Sequence, residues 1–211
     1  MGVIDLLSKD NALFEKAFDV LNRVYFNAEL PKVMITIQSR PKAYGYITCN
    51  EVWTDTDRSY YEINITAEYL NRPIENVLAT LQHEMVHLYC MVNGIQDTSK
   101  AGRYHNKNFK AEAEKRGLLI EYVKYIGYSK TTPSDQFITV LREHGLLEDS
   151  IQHFRLEPLD VSQPPNTTGK PKKKSSTRKY ICPACGMSVR ATREVHIICG
   201  DCFCVMEQEE T

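Results

Sequence analysis

Apolar residues recur along the chain at two different spacings, which predict a mixture of helices and strands. Steps of three and four residues predict a first helix over residues 11–30, ended by Pro31. Residues 33–38 alternate β-branched and other side chains, which predicts a strand. Two further short strands are predicted over residues 43–48 and 60–65, on either side of a polar loop.

The clearest helical pattern lies between Pro73 and Gly94. Pro73 suits a first helical position, with Asn71 or Arg72 as the cap, and Gly94 suits the end of the helix. Apolar residues between them follow three- and four-residue steps and predict one buried face, made of Ile74, Val77, Leu78, Leu81, Met85, Leu88 and Val92.

Downstream of Gly94 the pattern predicts a loop, a helix over residues 106–116, a strand over 118–123 and a last helix over 134–143. A helix, a small sheet and a second helix in this order predict an α+β fold, with helices packed on a small β-sheet. From about residue 156 prolines and a glycine break any regular element and large apolar residues become rare, which indicates a linker.

Composition narrows the class of protein. A chain of 211 residues, 42 % hydrophobic and 25 % charged, is long enough for one sizeable core and a small satellite domain. Its formal net charge of −1 gives no overall attraction to nucleic acid. The first ten residues have no basic start and no long apolar run, and no stretch approaches the roughly 18 apolar residues of a membrane span. We therefore expect a cytoplasmic protein without a membrane partner.

The main candidate chemistry stands in the middle of the second predicted helix, where residues 83–87 have the sequence HEMVH. His83 and His87 are about one helical turn apart on one face, so their ring nitrogens can share one metal ion. Glu84 lies beside that ion, where it can take a proton from a water that the metal activates. This arrangement is typical of a zinc peptidase, with Glu84 as the catalytic base.

Two histidines do not complete a catalytic zinc site, which usually has three protein ligands and a water. His105 follows the helix and is one candidate for the third ligand. Glu112 or Glu114, on the next predicted helix, would instead give a site with two histidines and one glutamate. Spacing alone leaves both alternatives open. Tyr104 is a candidate donor to the oxyanion.

A second candidate metal site lies near the end of the printed sequence. Two cysteine pairs, Cys182 with Cys185 and Cys199 with Cys202, are separated by 13 residues. Such pairs can surround a tetrahedral zinc, and a site closed by four thiolates is structural rather than catalytic. His196 and Cys204 are interpreted as bystanders. A segment of about thirty residues buries too little apolar surface to fold stably by itself. We therefore expect zinc binding to drive the folding of this β zinc ribbon.

A basic run precedes the ribbon. It has six positive charges in ten residues with no acid among them: Lys170, Lys172, Lys173, Lys174, Arg178 and Lys179. A flexible basic segment can follow phosphates and give salt-sensitive, sequence-independent affinity. A charged tract in a linker is also common as a solvated spacer. DNA is therefore a further predicted partner, through this basic run.

Several segments together resemble the SprT-like metallopeptidase domain, the family of the DNA–protein crosslink protease Spartan. They are YFNAELP at residues 25–31, INI at 63–65, QHEMVH at 82–87 and GRYHNKNF at 102–109, and the resemblance covers about residues 11–125. It implies that His83, His87 and His105 bind the catalytic zinc and that Glu84 is the base. It also implies a compact zincin-like fold. One departure is Asn106, where Spartan-type members often have glycine.

The sequence thus predicts three parts: a SprT-like metallopeptidase domain over residues 1–150, a flexible basic linker over 151–178 and a four-cysteine zinc ribbon over 179–211. The predicted cofactors are one catalytic and one structural zinc. The predicted activity is hydrolysis of peptide bonds in protein substrates, including DNA-associated proteins. The alternative is a non-catalytic, transcription-associated adaptor that binds nucleic acid through the ribbon. The sequence does not predict the oligomeric state.

Overall fold

A computed structural model describes residues 6–40, 42–99, 102, 104–148, 150–156 and 177–209. The chain divides into two compact units, with the division between Pro158 and Leu159. The predicted linker over residues 151–178 lies largely outside the described residues. The predicted domain limits therefore stay predictions.

The first half of the larger unit is one helix and a four-stranded sheet. The central strand of the sheet pairs in parallel with the first strand and antiparallel with the second and third. These elements are α1 (Leu6–Phe26), β1 (Val33–Gln38), β2 (Gly45–Ile47), β3 (Trp53–Thr54) and the central strand β4 (Ser59–Thr66). Because β2 is at the edge of the order β1-β4-β2, its outer backbone groups face away from the sheet.

The second half begins with a 3-10 turn (Ala67–Tyr69) and the central helix α2 (Ile74–Val92). A second sheet follows, in the order β5-β6-β8-β7, with β6 parallel to β8. Its elements, with the two helices between and after them, are β5 (Thr98–Ser99), β6 (Tyr104–His105), α3 (Lys107–Glu114), β7 (Leu118–Val123), β8 (Gly127–Pro133) and α4 (Asp135–Glu143).

Helix α2 forms the centre of the core. Leu78, Leu81, Met85 and Leu88 are fully buried, and α2 contacts α1, α3 and strands of both sheets. Burying one such side chain stabilises the fold by roughly 1.5–3 kcal/mol. The predicted apolar face packs except at its two ends, where Ile74 is half-buried and Val92 is 45 % exposed. Its buried part fixes the direction in which the neighbouring polar face of α2 points.

Three details differ from the predicted elements. Helix α1 ends at Phe26 rather than Leu30, because Asn27 and Ala28 have positive φ angles of 55° and 58°, which no helix continues through. Pro73 has an extended ψ of 137° and is the cap of α2 rather than its first helical residue. Strands β3, β5, β6 and β8 were not predicted, because the first three have two residues each and β8 is mostly polar.

The smaller unit is a three-stranded antiparallel sheet in the order β10-β9-β11, formed by β9 (Arg178–Ile181), β10 (Ser188–Ala191) and β11 (Glu207–Gln208). Over residues 177–209 its buried core consists of Tyr180, Cys182, Cys199 and Met206. The predicted fold class, α+β followed by a small cysteine-rich β region, is confirmed. Among the described residues no helix is long and apolar enough to cross a membrane.

Candidate metal centres

Three imidazoles converge in the larger unit. The period of α2 places His83 and His87 one turn apart, and β6 brings His105 to the same point. The Nε2 atom of His105 is 3.2 Å from that of His83 and 3.1 Å from that of His87, and the latter two are 3.1 Å apart. The structure therefore brings together the three histidines that the family resemblance indicated.

A different acceptor faces the Nδ1 atom of each ring. The Asp97 carboxylate is 2.5 Å from Nδ1 of His87, and the Thr131 hydroxyl is 2.7 Å from Nδ1 of His83. The Ile126 carbonyl is 3.4 Å from Nδ1 of His105. A carboxylate and a carbonyl only accept, so Nδ1 of His87 and His105 must carry the proton. The Thr131 hydroxyl donates to the carbonyl of Ser129 and so accepts from His83.

These hydrogen bonds leave the three Nε2 atoms unprotonated, with their lone pairs facing one another. Burial lowers the pKa of His83 well below its usual value and that of His105 to about 4, and the neighbouring imidazoles add to both shifts. Three lone pairs in one place repel unless a cation lies between them. Tetrahedral zinc with bonds of about 2.0–2.1 Å would hold its ligand nitrogens about 3.3 Å apart, close to the observed separations. The residues fit a zinc ion.

Two residues hold the imidazoles in place from outside the ligand set. The Phe109 ring, fully buried, lies 4.5 Å from the ring centroids of His83 and His87 and 4.7 Å from that of His105. Gly127 pairs with His105 across the parallel strands. A Cβ atom on Gly127 would lie 2.1 Å from the His105 carbonyl oxygen, so only glycine permits this approach.

Glu84 lies beside the imidazoles in a confined position. Its side chain is buried, and burial raises its pKa to about 7, with the charge of Asp97 adding to the shift. The Ile47 backbone N–H bonds to its carboxylate and favours the ionised form. A Cβ atom on Gly45 would lie 3.3 Å from Oε1 of Glu84, so the small residue in β2 makes room for the carboxylate. A nearby dication would also favour ionisation.

The other candidates for the third ligand and for the oxyanion donor are not part of the histidine cluster. The Glu112 carboxylate pairs with Arg116 and Lys115, each at 2.6 Å, and Glu114 pairs with Lys110 at 3.5 Å. Neither belongs to the histidine cluster. Tyr104 bonds to Tyr122 and lines neither cavity at the histidines. Successive residues of a strand point to opposite faces, so Tyr104 and His105 diverge.

Two cavities, each of about 450 Å³, meet at the histidine cluster. One continues along β2 toward Cys49 and Asp97, and the other continues between Tyr44 and Lys130. Both are lined by Gly45, His83, Glu84 and His105. Together they form a groove that crosses the cluster along the free edge of β2.

The smaller unit brings together the four cysteines that the sequence singled out. The sulfur atoms of Cys182, Cys185, Cys199 and Cys202 all lie within 4.8 Å of one another. Backbone N–H groups of Cys185 and Ala184 lower the pKa of Cys182 to about 6, which favours the thiolate that binds metal. A tetrahedral four-sulfur set suits zinc.

Both cysteine pairs have the same turn geometry. The Gly186 N–H donates to the Cys182 carbonyl, and the Phe203 N–H donates to the Cys199 carbonyl, at 2.9 and 2.8 Å. Both donor residues have positive φ angles, of 73° and 57°. Cys204 lies next to the cluster, with its sulfur 3.3 Å from that of Cys182, whereas His196 is not part of it.

The basic run is only partly described. Lys170, Lys172, Lys173 and Lys174 lie outside the described residues. Lys179 pairs with Glu209 at 2.9 Å, and Arg178 donates to the Thr192 carbonyl at 3.5 Å. The described end of the run therefore has its charge partly balanced by the ribbon itself.

Sequence reasoning missed the residues that orient the imidazoles. Asp97 and Thr131 lie in a predicted loop and in an unpredicted strand, and no periodicity marks them. Phe109 belongs to the segment that carries the family resemblance, which was the one available signal. All three reach the site through tertiary contacts between segments that are far apart in sequence from α2 or unmarked by any period: Thr131 is in β8, Asp97 directly precedes β5 and Phe109 is in α3.

Comparison with known sequences agrees with this geometry. The sequence model of the SprT-like family matches residues 14–124, which is more than half of the chain. No curated protein and no solved structure matches the chain. The matched region contains α2, β6 and α3, and so every residue of the histidine cluster. The chain therefore belongs to the SprT-like family.

Proposed function

We propose that this protein is a zinc-dependent metalloendopeptidase, with zinc held by His83, His87 and His105. The observation that carries the proposal is the convergence of three Nε2 atoms, 3.1–3.2 Å from one another, beside the buried carboxylate of Glu84. A purely structural site has no use for a base at this position. Three protein ligands also leave one coordination position for chemistry.

Zinc at this site would supply an acidified water and polarise the carbonyl of the scissile peptide bond. Glu84 takes the proton of that water as it attacks, then delivers the proton to the leaving nitrogen. The hydrogen bond from Ile47 holds the carboxylate beside the groove.

The groove and the edge strand suit an extended peptide substrate. Strand β2 pairs only with β4 among the described strands. Its outer backbone groups, other than the Ile47 N–H that bonds to Glu84, can therefore pair with a substrate backbone. A peptide paired with β2 would pass over His83 and Glu84. Main-chain pairing gives affinity without regard to sequence, which suits a peptidase acting on many proteins.

We propose a second, structural zinc at Cys182, Cys185, Cys199 and Cys202. The four-residue core of the ribbon is too small to stabilise a fold of this size alone. Free cysteines are consistent with action in the cytoplasm, where thiols stay reduced. We further propose DNA-associated proteins as substrates, supported by the basic run and by family membership.

Cleavage of casein by the full-length, zinc-loaded protein tests the activity. We expect cleavage that a chelator abolishes and added zinc restores. Glu84→Gln should bind zinc normally and lose turnover. The rival function, a non-catalytic nucleic-acid adaptor, would instead give DNA binding by the wild type and no proteolysis under any condition, including after addition of DNA.

A further inference from the structure

One of the two cavities contains a cation that has no carboxylate partner among the described residues. Arg72 lines the cavity between Tyr44 and Lys130, together with the catalytic candidates His83 and Glu84. Its side chain is partly buried, and no carboxylate of the described residues forms an ion pair with it. Burial removes water from the guanidinium and lowers the pKa of Arg72. A charge in this position normally has an anionic partner.

The guanidinium of Arg72 is held rigidly. Its Nε donates to the Tyr69 carbonyl at 2.8 Å, and its Nη2 donates to the Thr80 hydroxyl at 3.0 Å. Its plane lies over the Tyr44 ring, 4.0 Å from the centroid. The Nη1 atom makes no hydrogen bond to a described residue, so its two N–H groups are available to a ligand. Few degrees of freedom would be lost on binding.

The position of Arg72 relies on the same helix that positions the base. Thr80 precedes Glu84 by four residues on α2, which separates them by one turn, about 6 Å along the axis. Lys42 and Lys130 also line the cavity, and Glu84 is the only carboxylate among its lining residues. Lys130 pairs with Glu121 at 2.9 Å, but both side chains are more than half exposed. The cavity is therefore positively charged close to the reacting bond.

We infer that this cavity is a substrate subsite for a carboxylate, which Arg72 binds with Lys42 in support. The inference rests on the proposed peptidase function and names its substrate class: peptides with an acidic group at one fixed position from the scissile bond. The carboxylate is either an Asp or Glu side chain or the C-terminal carboxylate of the peptide. A cavity of about 450 Å³ holds a short stretch of peptide rather than a nucleic-acid duplex.

A positional peptide set tests the inference. The peptides are polyalanine with a single glutamate placed at a different position in each one. Every peptide is paired with a control in which glutamine replaces the glutamate, and each is made with a free and with an amidated C-terminus. Cleavage is measured with the zinc-loaded wild type, and affinity with the zinc-loaded Glu84→Gln protein. We expect one position at which glutamate, or the free C-terminus, raises affinity about tenfold over its neutral counterpart, as expected for a charge-assisted hydrogen bond.

The variant Arg72→Met should erase that preference, and Arg72→Lys should retain part of it. The matched control is Arg58→Met, because Arg58 also lies over a tyrosine ring, at 5.2 Å, but lines neither cavity. If Arg72→Met melts at a lower temperature than the wild type, Lys42→Met provides a second test, with a smaller loss of preference.

The outcomes separate the two claims. Cleavage or binding with no dependence on the acidic group overturns the carboxylate subsite and leaves the peptidase function intact. Binding with the predicted preference but no cleavage refutes the peptidase function and retains the subsite. A change in DNA retention by Arg72→Met, with peptide preference unaltered, assigns the cavity to phosphate and overturns the inference.

Discussion

The substitution Asp97→Asn tests whether the carboxylate that faces His87 matters for zinc. Asparagine keeps the shape of the side chain and removes its charge. Asp97 is the only charged acceptor among the three that face Nδ1 atoms, at 2.5 Å, and both side chains are 14 % exposed. The negative charge makes the opposite nitrogen of His87 a better electron donor to the metal.

The size of the effect follows from this geometry. A hydrogen bond to a charged group contributes roughly 1.5–3 kcal/mol, more than a neutral one. Each 1.4 kcal/mol corresponds to about tenfold in affinity. We therefore expect Asp97→Asn to weaken zinc binding at the histidine cluster about 10- to 100-fold, as is usual for a carboxylate behind a metal-binding histidine. Thr131→Val, which removes a neutral acceptor, should weaken it less.

The assay is competition for zinc against a chromophoric chelator, with zinc counted per chain. The ribbon supplies an internal reference, because its zinc should be released as in the wild type. Asp19→Asn, an exposed carboxylate on α1, is the matched control. An unchanged affinity of both zinc equivalents in Asp97→Asn, with an unchanged melting temperature, would refute the role of the His87–Asp97 pair.

Three further predictions concern the strands, the ribbon and the linker. Gly127→Ala should destabilise the protein by about 2 kcal/mol or more and weaken zinc binding, because a Cβ would lie 2.1 Å from the His105 carbonyl oxygen. Gly94 has a similar positive φ, 67°, but a Cβ atom there would have no neighbour within 4 Å, so Gly94→Ala should lower the melting temperature less than Gly127→Ala does. Equal decreases in melting temperature for the two variants would contradict the steric argument. Removal of zinc from the protein with a chelator should abolish hydrogen-exchange protection in residues 178–208 and leave most of the protection of α1 and α2, because the ribbon core is much smaller. Protection retained in the ribbon after zinc removal would contradict this prediction. Replacing Lys172, Lys173 and Lys174 with alanine should weaken DNA binding and reduce its salt dependence by up to about three ions; unchanged retention at low salt would remove the DNA proposal.

Much of the fold was predictable because α2 has an unbroken apolar face. That face predicted the helix, the helix predicted the directions of His83 and His87, and the motif indicated Glu84 as the candidate base. The ribbon was predictable for a different reason, since cysteine spacing alone defines a turn that can present two thiols to one ion. In both cases the chemistry depends on residues close together in sequence.

The third histidine could not be chosen from spacing, because its position depends on pairing between distant strands. His105 reaches the cluster through its parallel bridge to Gly127, in a strand that the polar composition of residues 127–133 concealed. Thr131 is in the same strand as Gly127, and Asp97 directly precedes β5 of the same sheet, so both were missed for the same reason. The family resemblance supplied what local periodicity could not.

The most direct test of the histidine site is anomalous diffraction at the zinc edge from crystals of the full-length protein. We predict one peak about 2.0–2.1 Å from the Nε2 atoms of His83, His87 and His105, with a water as the fourth ligand within hydrogen-bonding distance of Glu84. A second peak should lie among the four cysteines of the ribbon. The absence of zinc from the histidines, or a fourth protein ligand in place of the water, would contradict the proposed peptidase site.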